Sequence, residues 1–145
     1  MRILIGIDPD VEKSGVAYYE SDTKKLELSN LTFFQLFDYL QHVERNKGDL
    51  DEVTVVIEAG WLNKSNWHAV KDSSSSKNAQ IGQRTGANHE VGKKIVDMCQ
   101  YMGLNYELVK PTKSKVKHDF FKQLTGIIQS TNQEQRDAGM LVWGR

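Results

Sequence analysis

The chain has 145 residues, a formal net charge of zero, 39% hydrophobic and 26% charged residues, which predicts one globular domain spanning 1–145. No apolar run approaches the ~20 residues of a membrane span, and the N-terminus lacks the basic start and cleavage site of a signal peptide, so we expect a cytoplasmic protein. The neutral balance gives no global argument for nucleic-acid binding, so any such argument must come from local clusters of charge.

The N-terminal part of the chain predicts three short strands. Residues 3–8 are apolar on both faces until Asp8, which is typical of a buried central strand, and Pro9 ends it. Residues 15–19 and the alternating residues 26–31 follow after short polar turns, so we expect an antiparallel meander. An unpaired buried carboxylate is strongly disfavoured. Asp8 is therefore either a turn residue or part of a charged site that needs further groups.

A crossover helix and a second buried strand follow the meander. Thr32 and Gln35 have the spacing of a capping box at the start of an amphipathic helix. The next apolar run, residues 53–58, ends in Glu58. A strand after a crossover helix lies parallel to the first strand. Asp8 and Glu58 are therefore expected at the same carboxyl edge of the sheet, where open α/β sheets bind their ligands.

The rest of the chain predicts a loop, three helices and one strand. Residues 62–78 have no period and contain four consecutive serines, which is typical of a loop. The elements expected after it are a helix from about Asn78 to Met102, a strand at 105–109, a basic helix at about 112–124 and a last helix from Thr131 towards Trp143. Glycines at 82, 86 and 92 indicate close packing of the first of these helices against a neighbouring element or against a ligand backbone. The single cysteine, Cys99, is expected to be a buried thiol.

Two acids on the last helix are candidates to join Asp8 and Glu58. Glu134 and Asp137 are three residues apart and share one helical face. Thr131 and Glu134 also have capping-box spacing, so helix capping explains Glu134 as well as a site does. Asp137 has no such alternative explanation.

Converging carboxylates need a compensating charge. At ~4 Å and an effective dielectric constant near 20, each like-charged pair costs roughly 4 kcal/mol. All-oxygen ligand sets select hard ions, chiefly Mg²⁺ or Mn²⁺, whereas zinc sites need cysteine and histidine clusters that this sequence lacks. Two such ions activate a water and stabilise the leaving oxygen in phosphodiester hydrolysis.

Five segments of the sequence together indicate resemblance to one protein family. They are Gly6-Ile7-Asp8-Pro9, Gly15-Val16-Ala17, Ile57-Glu58, Ile81-Gly82-Gln83-Arg84-Thr85-Gly86 and Asp137-Ala138. Together, in this order and spacing, they resemble the RuvC family of Holliday-junction resolvases in the ribonuclease H-like superfamily. The first segment alone is also similar to actin-like ATPases and pre-ribosomal RNA nucleases. The sequence departs from the family's pattern at Asp10, where the family usually has glycine.

The resemblance implies an α/β fold with a ribonuclease H-like mixed five-stranded sheet, three antiparallel strands followed by parallel strands, and helices on both faces. It implies that Asp8, Glu58 and Asp137 are catalytic metal ligands and that Glu134 matches the family's additional acidic position. The implied activity is that of a crossover-junction endodeoxyribonuclease in recombination and repair, which cuts four-way DNA junctions as a homodimer. Two Mg²⁺ ions, with Mn²⁺ as substitute, are the implied cofactors.

A lysine-rich segment supplies the candidate phosphate contacts. Five lysines and His118 lie between residues 110 and 122, against the single acid Asp119. Such a segment is either a positive strip for phosphates or a solvated helix face. The segment also resembles the family's basic segment before the last acids.

Other candidate contacts follow the second buried strand and the glycine-rich helix. Trp61 is expected either to stack on an unpaired base, as an aromatic does in the resembled family, or to pack in the core or an interface. Gln83 and Arg84 are expected at the start of the glycine-rich helix, where the helix dipole favours a phosphate. The full set of candidate DNA contacts is Trp61, Gln83, Arg84, Lys110, Lys113, Lys115 and Lys117.

Two other functions remain open. The first alternative is that the protein is a ribonuclease H-like enzyme that acts on structured RNA. The second is that it binds DNA junctions without catalysis. An actin-like ATPase is disfavoured, because 145 residues leave no room for the paired domains of that fold.

Overall fold

The computed structural model describes residues 1–63 and 75–145. Its elements are β1 (Arg2–Asp8), β2 (Ser14–Glu20), β3 (Leu26–Leu31), α1 (Phe33–Asn46), β4 (Glu52–Glu58), a short 3-10 turn (Gly60–Leu62), α2 (Ser75–Met102), β5 (Asn105–Val109), α3 (His118–Thr125) and α4 (Gln133–Val142). The order of strands and helices is the one predicted from the sequence.

The strands form one sheet in the order β3-β2-β1-β4-β5. The pairs β1–β2 and β2–β3 are antiparallel, while β1–β4 and β4–β5 are parallel. The predicted meander and the predicted parallel pairing of β1 with β4 are therefore confirmed. Ile7 pairs with Ile57 across the two central strands, so the residues that follow them, Asp8 and Glu58, emerge at the same edge.

Helices cover both faces of the sheet. Ile5 of β1 belongs to a core cluster that also contains Leu36 of α1 and Ile95 of α2. Its neighbour Leu4 points to the opposite face and belongs to the cluster with Phe121 of α3 and Ala138 of α4. Because β1 is buried on both faces, its residues 3–7 are all apolar rather than alternating.

Helix α2 begins earlier than predicted. It starts at Ser75 instead of about Asn78, so the end of the predicted 62–78 loop is helical. Serine is unfavourable in a helix interior but is tolerated in the first turn, where backbone N–H groups lack helical partners. The part of that predicted loop at residues 64–74 lies outside the described residues.

The basic helix predicted at about 112–124 is shorter in the structure. Helix α3 begins at His118, and residues 112–117 are irregular. The carbonyl of Val116 accepts a hydrogen bond from Arg136 Nε at 2.8 Å, a contact from α4 that local helix propensity cannot anticipate. The prediction of a helix over 112–117 was wrong because a tertiary contact holds this segment in another conformation.

The cap of α4 also differs from the prediction. The N-cap residue is Asn132, whose side chain accepts from the backbone N–H of Gln135 at 2.9 Å, while the Gln135 side chain accepts from the Asn132 N–H. The predicted box between Thr131 and Glu134 is therefore wrong by one residue. Both pairs have suitable residue types, so spacing alone could not choose between them. Within residues 1–63 and 75–145, no helix is long and apolar enough to cross a membrane.

Candidate metal centre and its cleft

Three carboxylates from separate elements meet at the carboxyl edge of the central strands. Asp8 ends β1, Glu58 ends β4, and Asp137 lies on α4. One carboxylate oxygen from each lies within 4.8 Å of those of the other two. The structure therefore brings together the three residues that the sequence proposed as metal ligands.

Two glycines allow α4 to approach the sheet closely enough for this arrangement. A Cβ atom built on Gly6 would overlap the carbonyl oxygen of Ala138, and one built on Gly15 would overlap that of Glu134. The helix backbone thus rests directly on β1 and β2. This close approach brings the Asp137 side chain to the edge where Asp8 ends.

Burial and mutual repulsion disfavour the charged forms of two of these acids. Burial, followed by the negative charges of Glu58 and Asp137, raises the pKa of Asp8 to about 8. Burial also raises the pKa of Glu58, and the nearby charge of Lys115 opposes that rise. The cluster therefore gains from any cation that enters it.

Each oxygen of Asp137 accepts a hydrogen bond from a neighbouring side chain. Lys115 Nζ donates to Oδ2 at 2.8 Å, and Gln133 Nε2 donates to Oδ1 at 2.8 Å. Burial lowers the pKa of Lys115, but the hydrogen bond to Asp137 and the charges of Asp137, Glu58 and Asp8 outweigh it and leave that pKa raised. Lys115 thus supplies positive charge inside the acidic cluster.

Glu134 borders the cluster without belonging to its three-carboxylate group. It lines the same cleft as Asp8 and Asp137, and its charge contributes to the raised pKa of Asp8. Since Asn132 and Gln135 form the cap of α4, helix capping no longer explains this residue. Its role as an additional acidic group stays a prediction.

The donor set fits a hard divalent ion. All three groups offer carboxylate oxygens, which suit Mg²⁺, Mn²⁺ or Ca²⁺ better than zinc or copper. Burial, followed by the negative charges of Glu58 and Asp137, raises the pKa of Asp8, so a bound cation would favour its charged form. Asp8, Glu58 and Asp137 are therefore the residues that would hold the metal, with Glu134 nearby.

An open cleft of about 820 Å³ surrounds the acidic cluster. Of the predicted DNA contacts, four line it: Trp61, Arg84, Lys113 and Lys115. The other three are exposed outside this lining: Gln83, Lys110 and Lys117. Acidic groups thus occupy the base of a cleft whose walls carry basic side chains.

Trp61 packs against α2 as well as lining the cleft. A Cβ on Gly92 would meet the Trp61 ring, and the ring lies edge-to-face to His89 with centroids 6.5 Å apart. The close packing expected from the glycines of α2 is therefore confirmed at Gly92, whereas a Cβ on Gly86 would contact no neighbouring element in the described part of the chain. Trp61 is partly buried against the core, which agrees with the packing alternative for this residue.

Gln83 and Arg84 do not lie at the N-terminus of α2, so the prediction that placed them there was wrong. Because α2 begins at Ser75, both residues lie about two turns inside it, beyond the reach of the N-terminal dipole. Arg84 instead forms ion pairs with Asp10 at 3.4 Å and Glu12 at 3.6 Å. Its charge is partly balanced by the turn between β1 and β2.

Asp10 has a structural role that the sequence left unexplained. Its Oδ2 accepts from the backbone N–H groups of Glu12 at 2.9 Å and Lys13 at 3.4 Å, and its Oδ1 faces Arg84. Asn88 of α2 accepts from the N–H of Val11 in the same turn at 2.8 Å. Asp10 therefore organises a turn, as aspartate commonly does, and helps to join that turn to α2.

Comparison with known proteins bears on the fold alone. No protein-family model matches the chain, and no curated protein matches it. Among solved structures, T. thermophilus RuvC in complex with Holliday junction substrate is similar, with a TM-score of 0.53 and 12% sequence identity over 97% of this chain and 90% of that chain. With the sheet order described above, this similarity shows that the chain has a ribonuclease H-like α/β fold with a mixed five-stranded sheet.

Proposed function

We propose that this protein is a metal-dependent, structure-selective endonuclease that hydrolyses DNA phosphodiesters at four-way junctions. The observation that carries the proposal is the group formed by Asp8, Glu58 and Asp137 at the carboxyl edge of a ribonuclease H-like sheet. The basic walls of the cleft support a polyanionic substrate, and the fold is similar to that of a protein solved with a Holliday junction.

The chain's own groups divide into those that hold cations and those that hold phosphate. Asp8, Glu58 and Asp137 would hold the ions, for which we propose Mg²⁺, with Mn²⁺ as substitute. When bound, a pair of such ions supplies activation of a water and stabilisation of the leaving oxygen. Lys113 and Arg84, which line the cleft, would attract the phosphate backbone.

Arg84 can bind a phosphate only if it releases its carboxylate partners. It is half exposed and already paired with Asp10 and Glu12, and surface ion pairs of this kind contribute at most about 1 kcal/mol. A phosphate offers two oxygens to the planar guanidinium, which makes the exchange favourable. Lys110, Lys117 and Gln83 are proposed as outer contacts, and Trp61 as a platform at the cleft wall.

Cleavage of a synthetic four-way junction tests the proposal. Strand mapping is carried out with Mg²⁺, with Mn²⁺ and with chelator, beside a linear duplex of the same sequence. We expect cuts in the junction with either metal, none with chelator, and little cutting of the duplex. Asp8→Asn should abolish cutting and leave junction binding in gel-shift assays largely intact, while Asp38→Asn, at an exposed position on α1, should cut normally.

The same assay separates the alternatives. Intact junctions with both metals, together with cleavage of structured RNA, would favour the RNA-directed nuclease. Normal junction binding with no metal uptake in calorimetry would favour a binding module without catalysis. We also propose a homodimer, which light scattering of the purified protein with and without junction DNA would test.

A further inference from the structure

Arg136 on α4 hydrogen-bonds two separate stretches of the chain. Its Nε donates to the Val116 carbonyl at 2.8 Å, and its Nη1 donates to the carbonyl and hydroxyl oxygens of Thr131 at 2.7 and 3.1 Å. Val116 belongs to the irregular, lysine-bearing segment 110–117, and Thr131 lies just before α4. The half-buried guanidinium therefore joins this segment to the start of α4.

The same guanidinium determines the orientation of the Gln133 amide. Arg136 Nη2 lies 3.1 Å from Gln133 Oε1, and because arginine has only donors, the amide oxygen must face it. The amide nitrogen of Gln133 then faces Asp137 and donates to its Oδ1 at 2.8 Å. Lys115, on the segment that Arg136 holds, donates to the other oxygen of Asp137.

We propose that Arg136 and Gln133 are positioning residues that fix the direction of the Asp137 carboxylate and hold Lys115 beside it. Groups that hydrogen-bond a metal-ligating carboxylate commonly change metal affinity by about 10- to 100-fold. The effect on metal binding rests on the proposed function. The attachment of segment 110–117 to α4 does not, so the two parts can be tested separately.

Calorimetric titration with Mn²⁺ tests the orienting role of Gln133 in the full chain. Gln133→Met removes the amide hydrogen bonds with Asp137 and Arg136, and a longer one to the Val116 carbonyl at 3.5 Å, at similar volume. We expect Mn²⁺ affinity to fall about tenfold. Gln135→Met is the matched control, because it removes a hydrogen bond from the same first turn of α4 but one made to the Asn132 backbone. If Gln133 only stabilised the start of α4, Gln133→Met and Gln135→Met would lose Mn²⁺ affinity to the same extent.

Limited trypsin digestion of the metal-free protein tests the attachment of segment 110–117. Arg136→Lys keeps the charge but loses the planar set of donors that reaches several acceptors at once. We expect cleavage within 110–117, mapped by mass spectrometry, to become about fivefold faster or more while the melting temperature stays above the digestion temperature. Arg145→Lys, in an ion pair with Glu107, is the control and should be digested like the wild type.

The two experiments fail in distinguishable ways. Equal Mn²⁺ affinities for Gln133→Met and Gln135→Met would overturn the orienting role, and an unchanged tryptic rate for Arg136→Lys would overturn the attachment. If the wild-type protein takes up no Mn²⁺, the proposed metal function fails while digestion still decides the attachment. Should Arg136→Lys not fold, Gln133→Met is digested in its place, because it removes the acceptor of Nη2 and the amide's own hydrogen bond to the Val116 carbonyl at 3.5 Å. An unchanged rate then overturns the proposal.

Discussion

Lys115 Nζ lies 2.8 Å from Asp137 Oδ2, so an ammonium group stands inside the cluster of carboxylates proposed to hold metal. The Lys115 side chain is 43% exposed and that of Asp137 is 12% exposed. The lysine can therefore swing towards solvent or substrate without unfolding anything, whereas the aspartate cannot. A divalent ion and Lys115 would compete for the same carboxylate.

This competition predicts opposite effects of Lys115→Met with and without metal. In chelator at pH 8, the variant should be less stable than the wild type by about 1 kcal/mol, because it loses a charged hydrogen bond at a half-exposed site. Added Mn²⁺ should raise its melting temperature more than it raises that of the wild type. Thermal unfolding followed by circular dichroism measures both shifts.

Lys117→Met is the control for this prediction, since Lys117 is an exposed lysine on the same segment. It should change neither the stability in chelator nor the response to Mn²⁺. Equal Mn²⁺ responses of Lys115→Met and the wild type would show that the ammonium does not compete with the ion.

The raised pKa of Asp8 predicts that metal-free protein loses stability as the pH rises. Burial and the neighbouring acids bring this pKa to about 8 from the ordinary 3.8. The folded state therefore keeps a proton that the unfolded state releases, so the stabilising contribution is complete below pH 4 and is lost as the pH rises towards 8. Asp8→Asn, which imitates the neutral acid, should be more stable than the wild type at pH 8.5 and similar near pH 4.5.

Urea unfolding in chelator at these two pH values measures the difference. One pKa unit corresponds to about 1.4 kcal/mol, so a difference of at least that size is expected at pH 8.5. Mn²⁺ should reverse the order, because it stabilises only the wild-type cluster. A wild-type protein whose metal-free stability relative to Asp8→Asn stays constant from pH 4.5 to 8.5 would contradict the repulsion described here.

The positions of Asp8 and Glu58 could be predicted from the sequence, because they depend on local patterns in the two strands. An apolar run that ends in a carboxylate places that carboxylate at a strand end, and the parallel pairing of β1 with β4 brings Asp8 and Glu58 to one edge. The acids of α4 were recognised from their spacing of three residues. The resemblance to RuvC implied a mixed five-stranded sheet with helices on both faces, which the structure has.

Contacts between distant segments account for what the sequence did not reveal. Residues 112–117 carry only a weak local signal against a helix, in Thr112, Ser114 and Val116. Val116 is held by Arg136 from twenty residues further along the chain. The hydrogen bond from Gln133 to Asp137 does have a sequence signal, the spacing of four residues within a helix. This spacing of four residues is common in helices, so it did not identify a site until the position of Asp137 was known.

The close approach of α4 to the sheet predicts a large cost for Gly15→Ala. A methyl group at Gly15 would overlap the Glu134 carbonyl oxygen. That oxygen belongs to the helix backbone, which cannot relieve the overlap by changing a rotamer as a side chain can. We expect a loss of about 1–3 kcal/mol or more and a displacement of α4 that weakens Mn²⁺ binding. Urea unfolding and calorimetric titration measure the two effects.

Gly86→Ala provides the opposite case. No atom of residues 1–63 or 75–145 lies within 4 Å of a Cβ at Gly86, local helix backbone aside, and the residue is exposed inside α2. Alanine should therefore stabilise the protein by up to about 1 kcal/mol through its helix propensity.

If Gly15→Ala were as stable as the wild type, α4 would not lie against β2 as described.

The environment of Cys99 predicts a thiol that reacts only after unfolding. The residue is fully buried in the core cluster beneath α2, and burial raises its pKa to about 11 from 9.0. Since the thiolate is the reactive form, this shift alone lowers the reactive fraction at pH 8 about 100-fold, and shielding lowers access further. Iodoacetamide labelling followed by mass spectrometry should show slow modification in buffer and rapid modification in 8 M urea. Rapid labelling in buffer, without loss of the folded circular dichroism signal, would contradict the packing of α2 against the sheet.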